Sequence, residues 1–234
     1  MKPYKKESSF SYAIGVYPTL ELISSRPNQI TQIFLSSKGN PNQGVKKIIE
    51  FCQSKRIPFE IADRVIEKIS QSENNYAVAT FNKYTSPLNT NNHLCLINPS
   101  DKGNLGTIIR TMLGFSINNI SLIKPAVDIF DPKVIRASMG SVFRINFSYF
   151  DNFQSYQNLY HYHYYPFLVG ADLTLSKVKF QPPYCLIFGN EGAGLEDNFI
   201  KVGQPISIPQ SSQIDSLNLS VAAGIALHHS YTNR

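Results

Sequence analysis

The sequence has no apolar run approaching the roughly 18–20 residues that a membrane-spanning helix needs. Its N-terminal stretch over 1–14 contains lysines but no apolar core of the kind found in cleaved signal peptides. Hydrophobic residues make up 42% of the 234-residue chain and charged residues 16%, a balance typical of a folded globular protein. We therefore expect a cytoplasmic protein with no membrane segment.

Cysteine is scarce, and no Cys-x-x-Cys pair is present. Cys52, Cys95 and Cys185 each lie within or beside an apolar stretch, which favours buried thiols in a reducing compartment. His161 and His163 are two residues apart but have no Asp, Glu or Cys close by in the sequence. Because two histidines alone do not complete a metal site, we expect none.

These two histidines belong to a segment, 149–165, that is conspicuously rich in tyrosine. Such rings could stack on unpaired bases. The commoner outcome is a tyrosine-rich face that packs on a neighbouring element, and the sequence favours that interpretation.

Positive charge is concentrated in the first part of the chain. The net charge is +6, and residues 1–88 contain 12 Lys or Arg against 7 Asp or Glu, whereas the remainder is nearly balanced. A basic first third indicates attraction to a polyanion such as RNA or DNA. Ordinary variation in surface charge explains the same excess equally well.

The pattern of helices and strands predicts an α/β protein with two domains, 1–82 and 94–234, joined by a polar linker over 83–93. In the first domain, helices are predicted over 12–25, 44–55 and 63–70, and strands over 30–35, 58–61 and 76–81. In the second, helices are predicted over 105–113 and from about 132 and 216–220, and strands over 94–97, 120–123, 143–150, 168–171, 184–188 and 206–208. Strands that alternate with helices favour a parallel or mostly parallel sheet.

Three polar or glycine-rich stretches of the second domain are candidates for chemistry. One contains Asn104 and, six residues later, Arg110, which we expect near one end of a helix. The apolar run that ends at 188 is followed by GNEGAGL over 189–195, and the last predicted strand leads to Ser216-Leu217-Asn218 (SLN, 216–218) at a helix start.

Each of these stretches suits a ligand for a physical reason. Glycines let backbone amides approach a ligand closely, and a helix start offers unpaired N–H groups. An arginine can pair with a phosphate through two parallel hydrogen bonds. For the glycine-rich loop alone, a simple chain reversal is the alternative. The three stretches together favour a binding site outside the carboxyl ends of the strands.

In this order and spacing the three stretches resemble the three motifs of the SpoU/TrmH family of the SPOUT superfamily, whose members are RNA ribose 2′-O-methyltransferases. The segment 133–144 (KVIRASMGSVFR) is similar to the family's region between the first and second motifs, and the likeness covers roughly 94–230. Residues 10–80 resemble, more loosely, the small substrate-binding domain of some rRNA methyltransferases in this family.

The resemblance implies a small N-terminal α/β RNA-binding domain followed by a SPOUT domain, with a mostly parallel sheet and a trefoil knot near the C-terminus. It also implies a homodimer formed through the knotted domain. S-adenosylmethionine would be the cofactor, contacted largely by backbone at Gly189, Ile208 and Leu217.

By the same resemblance, Arg110 is the key catalytic residue and Asn104 helps to place it. Three further residues complete the catalytic set: Glu191, Ser216 and Asn218. The expected activity is therefore S-adenosylmethionine-dependent methylation of a ribose 2′-hydroxyl, with rRNA favoured over tRNA by the basic first domain.

Three alternatives stay open at this point. The first is the same fold acting on tRNA. The second is a catalytically silent RNA-binding protein, although a silent binder would not need the full set of motif residues. The third is a nucleotide-binding oxidoreductase, which the spacing of Gly189, Gly192 and Gly194 disfavours because it does not match the dinucleotide-binding fingerprint.

Overall fold

A computed structural model describes residues 3–69 and 75–233, which divide into two compact units. One unit runs to Tyr84 and also contains Asp128–Arg144; the other comprises Thr85–Val127 and the chain from Ile145 onward. The change of unit after Tyr84 falls inside the predicted linker. By contrast, the sequence prediction assigned residues 128–144 to the second domain, and the structure groups them with the first unit.

The first unit is built on a mixed four-stranded sheet with the order β1-β4-β2-β3. Strand β3 runs parallel to β2, and the other two pairings are antiparallel. The elements are β1 (Phe10–Ile14), α1 (Val16–Ser25), β2 (Ile30–Leu35), α2 (Gln43–Lys55), β3 (Phe59–Ile61), α3 (Asp63–Ile69) and β4 (Ala77–Asn82). The last residue of the helix predicted over 63–70 lies outside the described residues.

Strand β1 differs from the sequence prediction, which placed a single helix over 12–25. Tyr12 packs into a core cluster with Phe10 and Ile14 against it, so alternate side chains of β1 share one face. Gly15, with φ +108, separates this strand from α1. The apolar residues of the strand and of the helix follow one another so closely that their spacing mimics that of one helix.

The segment 128–144 supplies part of the first unit's core. It contains α5 (Pro132–Ala137), which begins where the Asp131 side chain accepts a hydrogen bond from the backbone N–H of Lys133 at 2.9 Å. Phe81 of β4 meets the rings of Phe130 and Phe143 edge to face, with centroids 5.6 and 5.2 Å apart. These long-range contacts explain why the segment belongs to this unit.

The second unit contains a five-stranded sheet with the order β7-β6-β5-β9-β8, in which every pairing is parallel. Its elements are β5 (His93–Ile97), α4 (Lys102–Gly114), β6 (Asn119–Ile123), β7 (Asn146–Phe150), α6 (Phe153–Gln157), β8 (His163–Pro166), β9 (Tyr184–Phe188) and α7 (Leu219–Thr232). Strands β5, β6 and β9 are buried along their whole length, as parallel strands covered on both faces should be.

Strands β5 and β9 are neighbours at a point where the order of the sheet changes direction. The chain proceeds from β5 to β6 and β7 on one side, while β8 and β9 lie on the other. In open α/β sheets the crevice at such a switch point, outside the carboxyl ends of the strands, is where ligands bind. The loops after β5 and β9 therefore meet at the expected place.

Two strand predictions in this unit were wrong. Residues 168–171 form no strand, and the strand is β8, just before them; its pattern of His, Tyr and Pro hid it. Residues 206–208 make only isolated bridges, from Ile206 to Phe167 and from Ser207 to Thr174. The tyrosine-rich segment packs inward, with Tyr156, Tyr164 and Tyr165 buried.

Other expectations concern what the protein lacks. No described helix is long and apolar enough to cross a membrane. The three cysteines are free and buried. Within 3–69 and 75–233 there is no group of three or more His, Cys, Asp or Glu that could hold a metal ion.

Candidate active site

The loop after β9 is closed on itself by hydrogen bonds. The backbone N–H groups of Asn190 and Gly194 donate to each other's carbonyl oxygens at 3.1 and 2.9 Å. The Asn190 side-chain oxygen accepts from the N–H groups of Gly192 and Ala193, at 2.9 and 3.3 Å. The amide of the same side chain donates to the carbonyl oxygen of Asn98, after β5, at 2.7 Å. The loop is therefore a preorganised turn tied to the neighbouring strand.

Gly189 is required by this turn. A Cβ at this position would lie 2.0 Å from the carbonyl carbon of Gly194 and 2.1 Å from its carbonyl oxygen. Backbone thus occupies the space that any other residue's side chain would need. The glycine predicted to bind a ligand also permits the close approach of the two ends of the loop.

A cavity of about 340 Å³ opens beside this loop, a volume within the range of small-molecule sites. Its walls include all three residues predicted to contact a cofactor, together with Glu191 and Ser216. The lining comprises Phe167, Leu168, Val169, residues 188–195, Ile208, Gln210, Asp215, Ser216, Leu217, Leu219 and Ala222. Three chain segments distant in sequence thus form one largely apolar recess with polar groups at its rim.

A second cavity, of about 880 Å³, lies at the opposite edge of the sheet. Its lining includes Asn92 before β5, Asn118 before β6 and Pro183 before β9, which places it at the amino ends of the strands. None of the predicted site residues lines it. Volume alone would favour this cavity, but the chemistry of the three motifs belongs to the smaller one.

Glu191 has both carboxylate oxygens engaged by the loop after β5. One oxygen accepts from the backbone N–H and the hydroxyl of Ser100, at 3.1 and 2.8 Å, and the other from the N–H of Asp101, at 3.0 Å. Partial burial raises the pKa of Glu191, but hydrogen bonds from its own N–H, from Asp101 and from Ser100 outweigh it, so the net pKa is lowered. Glu191 is therefore an ionised acceptor at neutral pH.

Helix α4 is capped at its start by Asp101. The Asp101 side chain accepts from the N–H of Asn104 at 2.7 Å, which satisfies one of the free N–H groups of the first turn. The side-chain oxygen of Asn104 in turn accepts from the amide of Asn218 at 3.2 Å. Asn218 is the capping residue of α7, because its oxygen accepts from the N–H of Ser220 at 2.9 Å. Asn104 and Asn218, both predicted site residues, thus join the starts of α4 and α7.

Arg110 is exposed and is not among the described residues that line the cavity. It lies about 9 Å along the axis of α4 from Asn104, since six residues separate them at 1.5 Å each. The expectation that both residues lie at one end of the helix was wrong: Asn104 is in the first turn and Arg110 in the third.

Sequence reasoning missed three residues of this site: Ser100, Asp101 and Asn190. A signal for Asp101 was available, because an Asp just before a helical pattern is a typical N-cap, whose side chain accepts from the N–H three residues on. Asn190 also had one, since an Asn side chain in a tight turn often accepts from the backbone N–H two residues on. No local pattern marked Ser100, whose partner is 91 residues away.

Comparison with known proteins identifies relatives of the chain. Residues 91–228 match the family described as the SpoU rRNA Methylase family. An uncharacterised tRNA/rRNA methyltransferase from Synechocystis (slr1673) is 33% identical over 132 residues, 55% of this chain and 48% of that protein, so the chain matches about half of that relative's length. The 23S rRNA (guanosine-2′-O-)-methyltransferase RlmB from Acinetobacter baylyi is 25% identical over 242 residues, 95% of this chain and 97% of that one.

Two solved structures are similar in fold to nearly the whole chain. An rRNA methyltransferase from Sinorhizobium meliloti, with bound AdoMet, is 25% identical, covers 96% of this chain and 87% of its own, and has a TM-score of 0.80. The SpoU methyltransferase AviRb from Streptomyces viridochromogenes, also with AdoMet, is 18% identical, covers 96% and 90%, and has a TM-score of 0.83. The latter likeness concerns the fold alone.

Proposed function

This chain belongs to the SpoU rRNA methylase family, and from that membership we propose that it methylates a ribose 2′-hydroxyl of ribosomal RNA. As a member of the family it is an RNA 2′-O-methyltransferase whose methyl donor is S-adenosylmethionine. The observation that carries the proposal is the single cavity that gathers Gly189, Ile208 and Leu217 from separate segments.

The cavity suits that donor. Its apolar walls can hold an adenine ring, and the close approach at Gly189 leaves backbone rather than side chain at the surface. When bound, S-adenosylmethionine supplies a methyl carbon carried on a positively charged sulfur. Gly189, Ile208 and Leu217 hold this donor, and the closed turn of Asn190 keeps their surface rigid.

Ribosomal RNA is the favoured substrate for two reasons. The relatives that match almost the full chain include the Acinetobacter 23S rRNA enzyme. The first unit also contributes a positive excess, with 12 Lys or Arg against 7 Asp or Glu over residues 1–88. Such a surface attracts any RNA, so the charge alone does not separate rRNA from tRNA.

Arg110 orients the RNA and polarises the reacting hydroxyl. An exposed guanidinium can grip a phosphate through two hydrogen bonds and place a cation beside the 2′-oxygen. Arginine does not act as a base at neutral pH, because a guanidinium holds its proton too tightly. Positioning would then supply most of the rate, because the RNA hydroxyl and the methyl donor would be held together in one site.

The remaining residues hold this arrangement. Asn104 and Asn218 keep the starts of α4 and α7 together, and Ser216 presents a hydroxyl at the rim of the cavity. The trefoil knot near the C-terminus is part of the same proposal, and its support is the likeness of the whole chain to AviRb.

The active species is a homodimer formed through the second unit. Helix α7 exposes Val221 and Ile225, which are four residues apart and so share one face. Arg110 is not among the described residues that line the cavity of its own chain. A site in which a second copy supplies the arginine would have this arrangement. The proposal is that each cavity receives the arginine of the other protomer.

The substrate is tested by transfer of tritiated methyl from S-adenosylmethionine to rRNA and, separately, to tRNA from cells that lack this protein. Digestion to nucleosides then locates the label. We expect a 2′-O-methylated nucleoside from rRNA. Label in tRNA alone would overturn the rRNA substrate, and label on a base would overturn the ribose as the acceptor.

The role of Arg110 is tested in the same assay with Arg110→Lys. We expect transfer to fall about a hundredfold, because lysine keeps the charge but loses the two-pronged grip. The control is Arg64→Lys, the same change at another exposed arginine, in the first unit, which should leave transfer near wild type. Near-full activity of Arg110→Lys would contradict the proposed role.

The shared site is tested by mixing two inactive variants, Arg110→Ala and Gly189→Ala. If each cavity uses the partner's arginine, a mixed dimer contains one complete site, and random mixing restores about a quarter of the activity. If cavity and arginine act within one chain, every site in the mixture carries a defect. Activity no higher than that of the separate variants would overturn the sharing of residues.

A further inference from the structure

Four hydrogen-bonding side chains form a continuous path from the wall of the cavity to the start of α7. Glu191 lines the cavity and accepts from the loop before α4. Asp101 of that loop caps the first turn of α4 at the N–H of Asn104. Asn104 then accepts from Asn218, the cap of α7. The path therefore joins all three motif stretches.

The geometry of Glu191 limits what its carboxylate can do. Its two oxygens accept from the N–H and hydroxyl of Ser100 and the N–H of Asp101, at 2.8 to 3.1 Å, and from the side-chain amide of Asn190 at 3.4 Å. A base must offer a free lone pair to the proton that it removes. Here Ser100 and Asp101 already donate to both carboxylate oxygens, so the carboxylate is better suited to fixing the backbone of that loop than to taking a proton.

We propose that Glu191 is a positioning residue that fixes α4 relative to the cofactor cavity. It acts through two residues that no motif marked, Ser100 and Asp101. Because α4 carries Arg110, the hydrogen bonds of Glu191 also set where this helix presents its guanidinium to the methyl donor held by the other protomer. This inference rests on the proposed function for the consequence in catalysis, but the mechanical link can be measured without RNA.

A reciprocal effect follows from the position of Glu191 in the cavity wall. A ligand that orders residues 189–194 also orders the carboxylate, and hence the loop at 98–101. Coupling between two sites is equal in both directions. Occupation of the cavity should therefore protect the backbone amides at the start of α4, and weakening of the loop should loosen the ligand by the same factor.

The first measurement is hydrogen exchange of the peptide over 98–106, with and without S-adenosylmethionine. In the wild type we expect the ligand to slow exchange about tenfold, comparable to one charge-assisted hydrogen bond. In Glu191→Gln most of that protection should be lost, because one acceptor oxygen becomes a donor. The control is Glu196→Gln, the same change at an exposed glutamate outside the cavity lining, which should behave as wild type.

The second measurement separates positioning from direct chemistry. Asp101→Ala removes the cap of α4 but keeps the backbone N–H that donates to Glu191, so it should lower kcat about tenfold while the Kd of S-adenosylmethionine changes less than about threefold. Asp101→Asn keeps a capping oxygen and should restore kcat, because Asn and Asp are equally good at this position. A purely catalytic carboxylate at Asp101 would not be rescued by Asn.

Each outcome decides the proposal. If Glu191→Gln lowers kcat but leaves exchange of 98–106 as in the wild type, Glu191 acts directly on the reaction and the proposal is overturned. Equal exchange with and without ligand in the wild type also overturns it, provided that calorimetry shows binding. If the wild type methylates no RNA yet shows the ligand-dependent protection, the link stands and the proposed function fails. Should Glu191→Gln not fold, the pair Asp101→Ala and Asp101→Asn decides in its place.

Discussion

The side-chain amide of Asn218 donates to the side-chain oxygen of Asn104 over 3.2 Å, so the first turns of α7 and α4 are directly bonded. The two residues are 114 positions apart in the sequence. Asn218 uses its other side-chain atom to cap α7. One asparagine therefore has two separable tasks, and substitutions can distinguish them.

Asn218→Asp should keep the cap but lose the bond to Asn104, because aspartate offers only acceptors. We expect the free energy of unfolding to stay within about 0.5 kcal/mol of wild type, while methyl transfer falls about tenfold. Asn218→Ala loses both tasks and should in addition cost about 1 kcal/mol of stability. Denaturant unfolding and kcat measured together check this. Full activity of Asn218→Asp would show that the bond between the helices is not needed.

Gly189→Ala should strongly weaken binding of S-adenosylmethionine. Its Cβ would lie 2.0 Å from the carbonyl carbon of Gly194, so the turn has to open. Gly192→Ala is the matched control, because a Cβ there meets only the Asn190 side-chain oxygen, at an ordinary 3.5 Å. We expect the Kd to rise at least about thirtyfold for Gly189→Ala and less than about threefold for Gly192→Ala. Calorimetry measures both. Equal affinities would mean that the closed turn does not shape the cofactor site.

Stability should fall in mild acid because of His93. This residue is fully buried, and its ring nitrogens are 2.9 Å from the Tyr156 hydroxyl and 2.7 Å from the carbonyl oxygen of Asn89. Burial lowers its pKa from 6.5 to about 4, although the bond to Asn89 acts in the opposite direction. Between these two pH values the unfolded chain binds a proton that the folded chain does not.

His93 therefore leaves the free energy of unfolding undiminished above about pH 6.5. As the pH falls from there towards 4, His93 lowers that free energy by roughly 3 kcal/mol in all. Urea unfolding at several pH values measures this slope. His93→Gln should flatten the slope, whereas His161→Gln, at an exposed histidine, should leave it unchanged. A slope that is the same in His93→Gln as in the wild type would assign the acid sensitivity to other groups.

Ile225→Glu should convert the proposed dimer into monomers. Its side chain is 39% exposed on the face of α7 that also carries Val221, and burying a charge against a second protomer there is costly. Sedimentation velocity at micromolar concentration measures the change in mass. Leu159→Glu, at a residue that is 67% exposed outside α7, serves as the control and should leave the mass unchanged. A dimer that survives Ile225→Glu would exclude this face from the interface.

The sequence predicted the parts of the fold in which local pattern and tertiary environment agree. Strands β5 and β9 are apolar runs because both of their faces are covered, and the glycines at 189–194 follow directly from the turn. The parallel sheet of the second unit was within reach of such patterns, and the family's motifs pointed to Gly189, Ile208 and Leu217, which line the cavity.

Where the outcome depends on partners far away in the chain, local pattern was insufficient. Nothing near 128–144 indicates that Phe130 and Phe143 pack on Phe81. The bridges of 206–208 depend on Phe167 and Thr174, which precede them by more than thirty residues. Likewise, Ser100 is a site residue only because Glu191 is folded against it.

The placement of 128–144 in the first unit has a consequence for synthesis on the ribosome. The N-terminal sheet is made first, but the hydrophobic side of Phe81 is not covered until Phe130 and Phe143 have emerged. By then the chain has also produced β5 and β6, whose remaining sheet partners β9 and β7 are still to come. Neither unit can finish before part of the other exists. The two units are therefore not separable modules along the chain. A gene fusion that cut the chain at the linker would separate 128–144 from the rest of the first unit's core.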